Sequence, residues 1–240
     1  MKAWAHAGWE ARLLLRNGEQ LLLTIIIPVG LLLGLALTGL LPDAYGDDRL
    51  AKAVATVLTV SVLSSAFTSL AIATGFERRS GALRFLATTP LGRVDLLAGK
   101  SLATAAVTCL STLAVLVAAG AIGWRPQAGA AWAVVPLLVG TASLAACGFA
   151  LAGLMRAEAV LAVANGAFLV LLMFGGVIVP ADALPGPLSE IAPWLPSGAL
   201  AQSLTEALVD GSVPSAGPLL ILLAWLAGAA LLAARTFRWS

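Results

Sequence analysis

The residues able to do chemistry are crowded into a few places. Five of the fourteen basic side chains lie between Glu77 and Lys100, in the stretch ERRSGALRFLATTPLGRVDLLAGK. Arg78, Arg79 and Arg84 suit the recognition of acidic groups, because a guanidinium offers carboxylates a planar fork of donors. Leu83, Phe85 and Leu86 are apolar residues with no reason to sit in an exposed loop unless they dock onto something. Ser80 is placed to cap a short helix whose start Gly81 loosens. Thr89-Pro90 reads as a second helix start, a capping hydroxyl followed by proline at the first helical position. Two short helical pieces with a turn between them are expected here. The plainer alternative is a solvated basic loop that only enforces topology.

The same stretch ends in an imitation of a nucleotide site. Gly99-Lys100-Ser101 resembles the end of a phosphate-binding G-x-x-x-x-G-K-[ST] loop, but Val94 stands where its first glycine belongs, and no strand precedes. Nucleotide binding by this chain is not expected. His6 is the only histidine, there is no H-E-x-x-H, and no serine–histidine pair falls at membrane depth. Cys109 and Cys147 sit inside apolar runs and read as small packing residues rather than a disulfide or metal framework. The chemistry on offer is recognition, not catalysis, with no metal site and no cofactor bound by this chain.

Membrane helices must position these residues. Charged residues make up 11% of the 240, against about 25% in soluble domains, while 60% are hydrophobic and mean hydropathy is +0.98. That leaves too few charges to cover a water-facing globule. Crossing a hydrocarbon core takes about 20 apolar residues of helix. Runs free of Asp, Glu, Lys, Arg and His supply six spans, at about 20–42, 53–76, 101–124, 130–155, 159–181 and 213–234. Lipid offers no hydrogen-bond partners to the backbone, so the spans must be helical. The expected fold is all-α integral membrane, a single transmembrane domain over 1–240. A net charge of +2 gives no reason to expect a nucleic-acid partner.

Orientation follows the basic residues. With the N-terminus in the cytoplasm, eleven Lys and Arg fall inside, and only Arg49, Lys52 and Arg125 fall outside. Asp43, Asp47, Asp48, Asp182, Glu190, Glu206 and Asp210 then all lie outside. Both termini are expected in the cytoplasm, and 77–100 is the main cytoplasmic loop. The opening residues are too charged for a signal peptide. Residues 1–19 instead read as an amphipathic interfacial helix, with Trp4 on its apolar face, Arg12 and Arg16 on the polar side, and Trp9 interrupting it.

The external segment 182–210 and its approach hold five of the twelve prolines within seventeen residues, Pro180, Pro185, Pro187, Pro193 and Pro196. Its body includes Leu184, Leu188, Ile191, Trp194 and Leu195, and it has acids but no bases. A polar linker would not look like this. It is expected to form broken helices between spans five and six that dip into the outer leaflet or cover a vestibule, with a further helix over Ser197–Leu208. Within the spans the polar groups are small. The second span carries Ser61, Ser64, Ser65, Thr68, Ser69 and Thr74. Such residues allow close helix packing, and the stripe on the second span can alternatively line a path. Gly30 and Gly34 form a G-x-x-x-G in the first span.

These stretches together carry a resemblance. Phe76-Glu77-Arg78-Arg79-Ser80-Gly81, then Thr89-Pro90, then Leu96-Leu97-Ala98-Gly99-Lys100 follow an E-R-x-x-G, T-P, leucine-rich G-K order. Gly175-Gly176-Val177-Ile178-Val179-Pro180 is followed by Leu184-Pro185 and Leu195-Pro196, and an amphipathic helix precedes six spans. Over essentially its whole length the chain resembles the permease subunits of type-two ATP-binding-cassette exporters, and is most similar to actinobacterial members labelled antibiotic or multidrug permeases.

The resemblance implies a separate soluble ATPase that holds the ATP and magnesium, and a second permease copy, identical or paralogous. It implies a coupling helix around Ser80–Thr88. Glu77, Arg78, Arg79, Ser80, Gly81, Leu83, Arg84, Phe85, Leu86, Thr89 and Pro90 would meet the ATPase, and the helix bearing Trp4, Trp9, Arg12 and Arg16 would touch it too. Gly175, Gly176, Pro180, Leu184, Pro185, Trp194 and Pro196 would form the outer gate. The cargo expected from uncharged spans is amphipathic, a drug, antibiotic or lipid-like molecule. Export of haem, a lipid-linked glycan or another envelope precursor is the alternative within the same class, and a non-transporting membrane scaffold is the alternative outside it. The expected location is the cytoplasmic membrane, in contact with its lipid.

Overall fold

The structure, a computed structural model, describes residues 22–37, 48–87 and 92–236. The expected interfacial helix with Trp4, Trp9, Arg12 and Arg16, the pair Thr89 and Pro90, and the ends of the first span lie outside the described residues. Those described are helical or irregular, with no strand among them. Among the described residues five helices are long and apolar enough to cross a bilayer: Arg49–Arg79, Asp95–Ala121, Ala128–Leu154, Ala157–Phe174 and Ala216–Thr236. A shorter apolar helix, Thr24–Leu37, occupies part of the expected first span.

In chain order, a π-helical turn Leu22–Ile26 leads into α1, Ile27–Leu37. Helix α2, Arg49–Val62, passes through a π-helical segment, Leu63–Ser69, into α3, Leu70–Arg79. These three pieces form one rod of 31 residues. At 1.5 Å per residue it is about 46 Å long, against an apolar core of about 30 Å, so its charged ends project beyond the hydrocarbon. Next come α4, Ala82–Ala87, and α5, Arg93–Ala121. The 3-10 turn Ala128–Ala133 opens α6, Val134–Leu154, and α7 is Ala157–Phe174.

The proline-rich segment is broken into short pieces. It consists of a 3-10 turn Ala181–Ala183, the single turn α8, Leu188–Ile191, a 3-10 turn Ala192–Trp194, and α9, Pro196–Leu208. Pro196 opens α9 at a position where its missing N–H costs nothing. The final helix is α10, Ala216–Thr236.

The core forms where the rod meets α6 and α9. Val54, Val57, Leu58, Leu63, Leu144, Leu200 and Leu204 are fully enclosed there. Helix α9 is not a surface helix. It wedges among α2, α6 and the start of α10, with ten of its thirteen residues buried. Helix α3 lies between α6 and α7, α5 packs on α1 and the rod, and α10 runs along α6.

Two local expectations are corrected. Ser80 does not start the next helix. Its hydroxyl donates to the Glu77 carbonyl at 3.1 Å and closes the end of α3. The first bond of α4 runs from the Phe85 N–H to the Gly81 carbonyl at 3.1 Å. Gly81 holds φ of +81°, so it makes the left-handed turn that reverses the chain rather than loosening a helix. Helix α5 begins at Arg93 with Gly92 as its N-cap.

Candidate functional site

Polar chemistry gathers at the two ends of the rod. At the α3 end, three successive residues point in three directions, as a helix of 3.6 residues per turn requires. Glu77 faces α5, where Lys100 Nζ lies 2.8 Å from Oε1 and also 2.8 Å from Oε2. Lys100 is 4% exposed, and a lysine so enclosed needs a carboxylate beside it. Arg78 reaches the C-terminus of α6 and donates to the carbonyls of Gly153, at 3.3 Å, and Met155. Those carbonyls have no partner within the helix, and they carry the negative end of its dipole. Arg79 pairs with Glu158 in the first turn of α7, where a carboxylate also suits the dipole. Both partners of that pair are exposed.

Glu77, Arg78 and Arg79 therefore bolt this elbow to three neighbouring helices. The sequence reading offered Arg78 and Arg79 to acidic groups on a partner, but in the structure both are engaged within the chain. Leu83 changes role as well. It is 0% exposed and anchors α4 inside the fold instead of presenting itself to a partner groove. Phe85 is 74% exposed on the same short helix. The side chains of Arg84 and Leu86 lie outside the described set. Gly99-Lys100-Ser101 falls inside the continuous helix α5, with none of the loop geometry of a phosphate cradle.

At the opposite end, Lys52 lies in the first turn of α2, 4% exposed, and its Nζ donates to Thr205 Oγ1 of α9 at 3.0 Å. One turn on, the Thr56 hydroxyl donates to the Val177 carbonyl at 3.3 Å. Beside Lys52 opens a cavity of about 460 Å³, lined in part by Gly176, Pro180, Asp182, Glu206 and Asp210. The negative charges of Asp210 and Asp182 act on the lysine across it. The Glu206 carboxylate accepts from Gln202 Nε2 and Ser215 Oγ, each at 3.0 Å, which ties α9 to the start of α10.

The predicted gate residues divide. Gly176 and Pro180 line this cavity. Gly175 closes α7, and the Ser197 hydroxyl donates to the Leu171 carbonyl at 3.0 Å in the space a side chain at 175 would need. Pro196 is buried at the head of α9. Leu184 is half-buried and Pro185 exposed, away from the cavity lining. Trp194 is 68% exposed, and its carbonyl accepts the Trp225 indole N–H of α10 at 2.8 Å.

Lys52 is the residue the sequence reading missed, having been counted only as a loop charge. Its spacing from Thr56, one turn apart, was the available signal. Between the two ends the rod carries neutral hydroxyls and no charge. Among the described residues no group of three or more His, Cys, Asp or Glu lies close enough to hold a metal ion. The arrangement is mechanical: a stiff, charge-free shaft pinned by an ionic elbow at one end and abutting a polar cavity at the other.

The sequence pattern of the ABC-2 family transporter proteins matches residues 38–235 of this chain. The chain is also 27% identical over 222 residues to YvfS of Bacillus subtilis (strain 168), whose name provisionally describes it as a transport permease. The alignment covers 90% of this chain and 89% of that one.

Proposed function

The chain belongs to the ABC-2 family of transporter proteins, and from that premise we propose that it is the permease subunit of an ATP-driven exporter in the cytoplasmic membrane. A separate ATPase supplies the energy, and a second permease, identical or paralogous, completes the path. The cargo is an amphipathic drug-like, antibiotic or lipid-like molecule. The elbow faces the cytoplasm with both termini, and the α9 cavity faces outward. The observation that carries the reading is the elbow. Residues 77–79 join the rod to α5, α6 and α7 at once, so force applied to α4 reaches four helices together. Exposed Phe85 sits on α4 where an ATPase would press, and the rod leads from there to the polar cavity. Open space beside Gly30 leaves room for a second copy at α1.

The test is affinity purification of the full chain in mild detergent, with crosslinking, followed by an ATPase assay and identification of co-eluting chains. A stoichiometric nucleotide-binding partner is expected, and Phe85→Asp should lose that partner while inserting normally. An eluate without ATPase after crosslinking overturns the exporter reading. Unchanged stimulation of the ATPase by Phe85→Asp overturns α4 as the contact.

A further inference from the structure

Halfway along the rod the backbone widens into the π-helix Leu63–Ser69. Such segments are uncommon, costly, and concentrated at functional sites. Beside this one is a cavity of about 30 Å³ whose lining includes six hydroxyl residues: Thr24, Ser61, Ser64, Ser65, Ser69 and Ser111. They come from three parts of the chain, the turn before α1, the rod, and α5. Helix packing accounts for some of them. Ser61 donates to the Val57 carbonyl at 2.8 Å, and Ser65 donates to the Ser61 carbonyl at 2.7 Å and shares a 3.0 Å bond with Thr108. It does not account for Ser111, a residue of the cavity lining that is 2% exposed and whose hydroxyl has no hydrogen-bond partner. A buried hydroxyl left without a partner is a standing cost that a ligand would remove.

The lining also decides what kind of ligand. Among the described residues no charged side chain borders the cavity, so an ion at this depth would have no counter-charge among them. Each hydroxyl both donates and accepts, which suits a neutral group that does the same. The volume admits one or two water-sized groups and no more. We propose that this cavity is a binding subsite for one neutral hydrogen-bonding group, a hydroxyl or amide, on an amphiphilic cargo, with water as its occupant between cargo molecules. The cargo assignment rests on the permease reading above and narrows it, because the subsite selects amphiphiles with an uncharged polar group over cationic ones.

The test uses the full chain in proteoliposomes, with Cys109 and Cys147 replaced by alanine and single cysteines introduced as Ser111→Cys or Ser64→Cys. Leu113→Cys, on the lipid-facing side of α5 at 54% exposure, is the dry control. The probes are 1-decanol, decane and decyltrimethylammonium, and the readout is the rate of labelling by aminoethyl methanethiosulfonate. Both serine-site cysteines should label faster than the control. Decanol should slow them by about two- to tenfold, the change one net hydrogen bond supplies, and the other two probes should not. Labelling at the control rate at both positions means a dry cavity and overturns the site. Labelling that decanol does not slow means a water site only and overturns the cargo assignment, as does equal slowing by decane. Ser64→Cys keeps the test decisive if Ser111→Cys does not fold. No ATPase is involved, so a failure here is separable from failure of the permease reading, which the co-purification decides.

Discussion

The two ends of the α2–α3 rod are built from the same residue types and behave as opposites. At the elbow, Glu77, Arg78 and Arg79 fan outward to three helices, where Lys100 is deeply enclosed and Glu158 is exposed. At the α9 end, a single lysine points into the fold, held by a threonine hydroxyl and flanked by carboxylates across a cavity. The elbow fills its space with bonds, whereas the α9 end leaves about 460 Å³ open. A joint made of several short ionic bonds moves as a unit. A buried charge beside open volume can exchange partners without rebuilding a core. The difference fits a shaft driven at one end and yielding at the other.

The sharpest way to break this contrast is Lys52→Glu. It sets a carboxylate beside Asp182 and Asp210 at a site only 4% exposed. A loss of about 3–5 kcal/mol is expected, the cost of an uncompensated buried charge, read as a lower melting temperature of the purified chain in detergent. Melting with the parent would mean that this end is as forgiving as an exposed surface.

The next effect belongs to the elbow. Glu77→Ala removes the carboxylate that faces enclosed Lys100 and should cost about 1.5–3 kcal/mol. Adding Lys100→Met should recover much of that loss, because it removes the charge along with its partner. A double-mutant cycle on detergent melting measures the coupling, and strictly additive losses would show that the two residues do not act as a pair.

The smallest effect is expected at the exposed bolt. Arg79→Ala should cost about 0.2–1 kcal/mol, as exposed ion pairs do. The difference should fade in high salt, since surface charges are screened over about 10 Å at 0.1 M. A loss as large as that of Glu77→Ala would make all three bolts equivalent and erase the distinction between buried and exposed anchors.

Much of this architecture is legible in the chain itself. Runs without charge must become helices in lipid, because no other backbone satisfies its own hydrogen bonds there. Pro196 marks the start of α9 because proline fits a first helical turn and little else in a helix. The glutamate and arginines at 77–79 announce a site by standing together at the end of an apolar run.

Their partners could not be read in the same way. Arg78 finds carbonyls 75 and 77 residues away, and Lys52 finds a hydroxyl 153 residues away. Periodicity reports which face of a helix is apolar, but not which helix will lie against it. Leu83 shows the same limit, since an apolar residue in a basic loop docks onto something, and only packing decided that the something was its own fold. The π-helix depends on tertiary structure as well, because the serines that border it are equally at home in an ordinary α-helix. The sequence by itself thus determined a helical membrane chain, its punctuation and the location of its charges. Tertiary structure decided which charges are bolts, that Lys52 and Lys100 are enclosed, and that the Ser111 hydroxyl was left without a partner, because those outcomes depend on contacts between segments far apart in the chain.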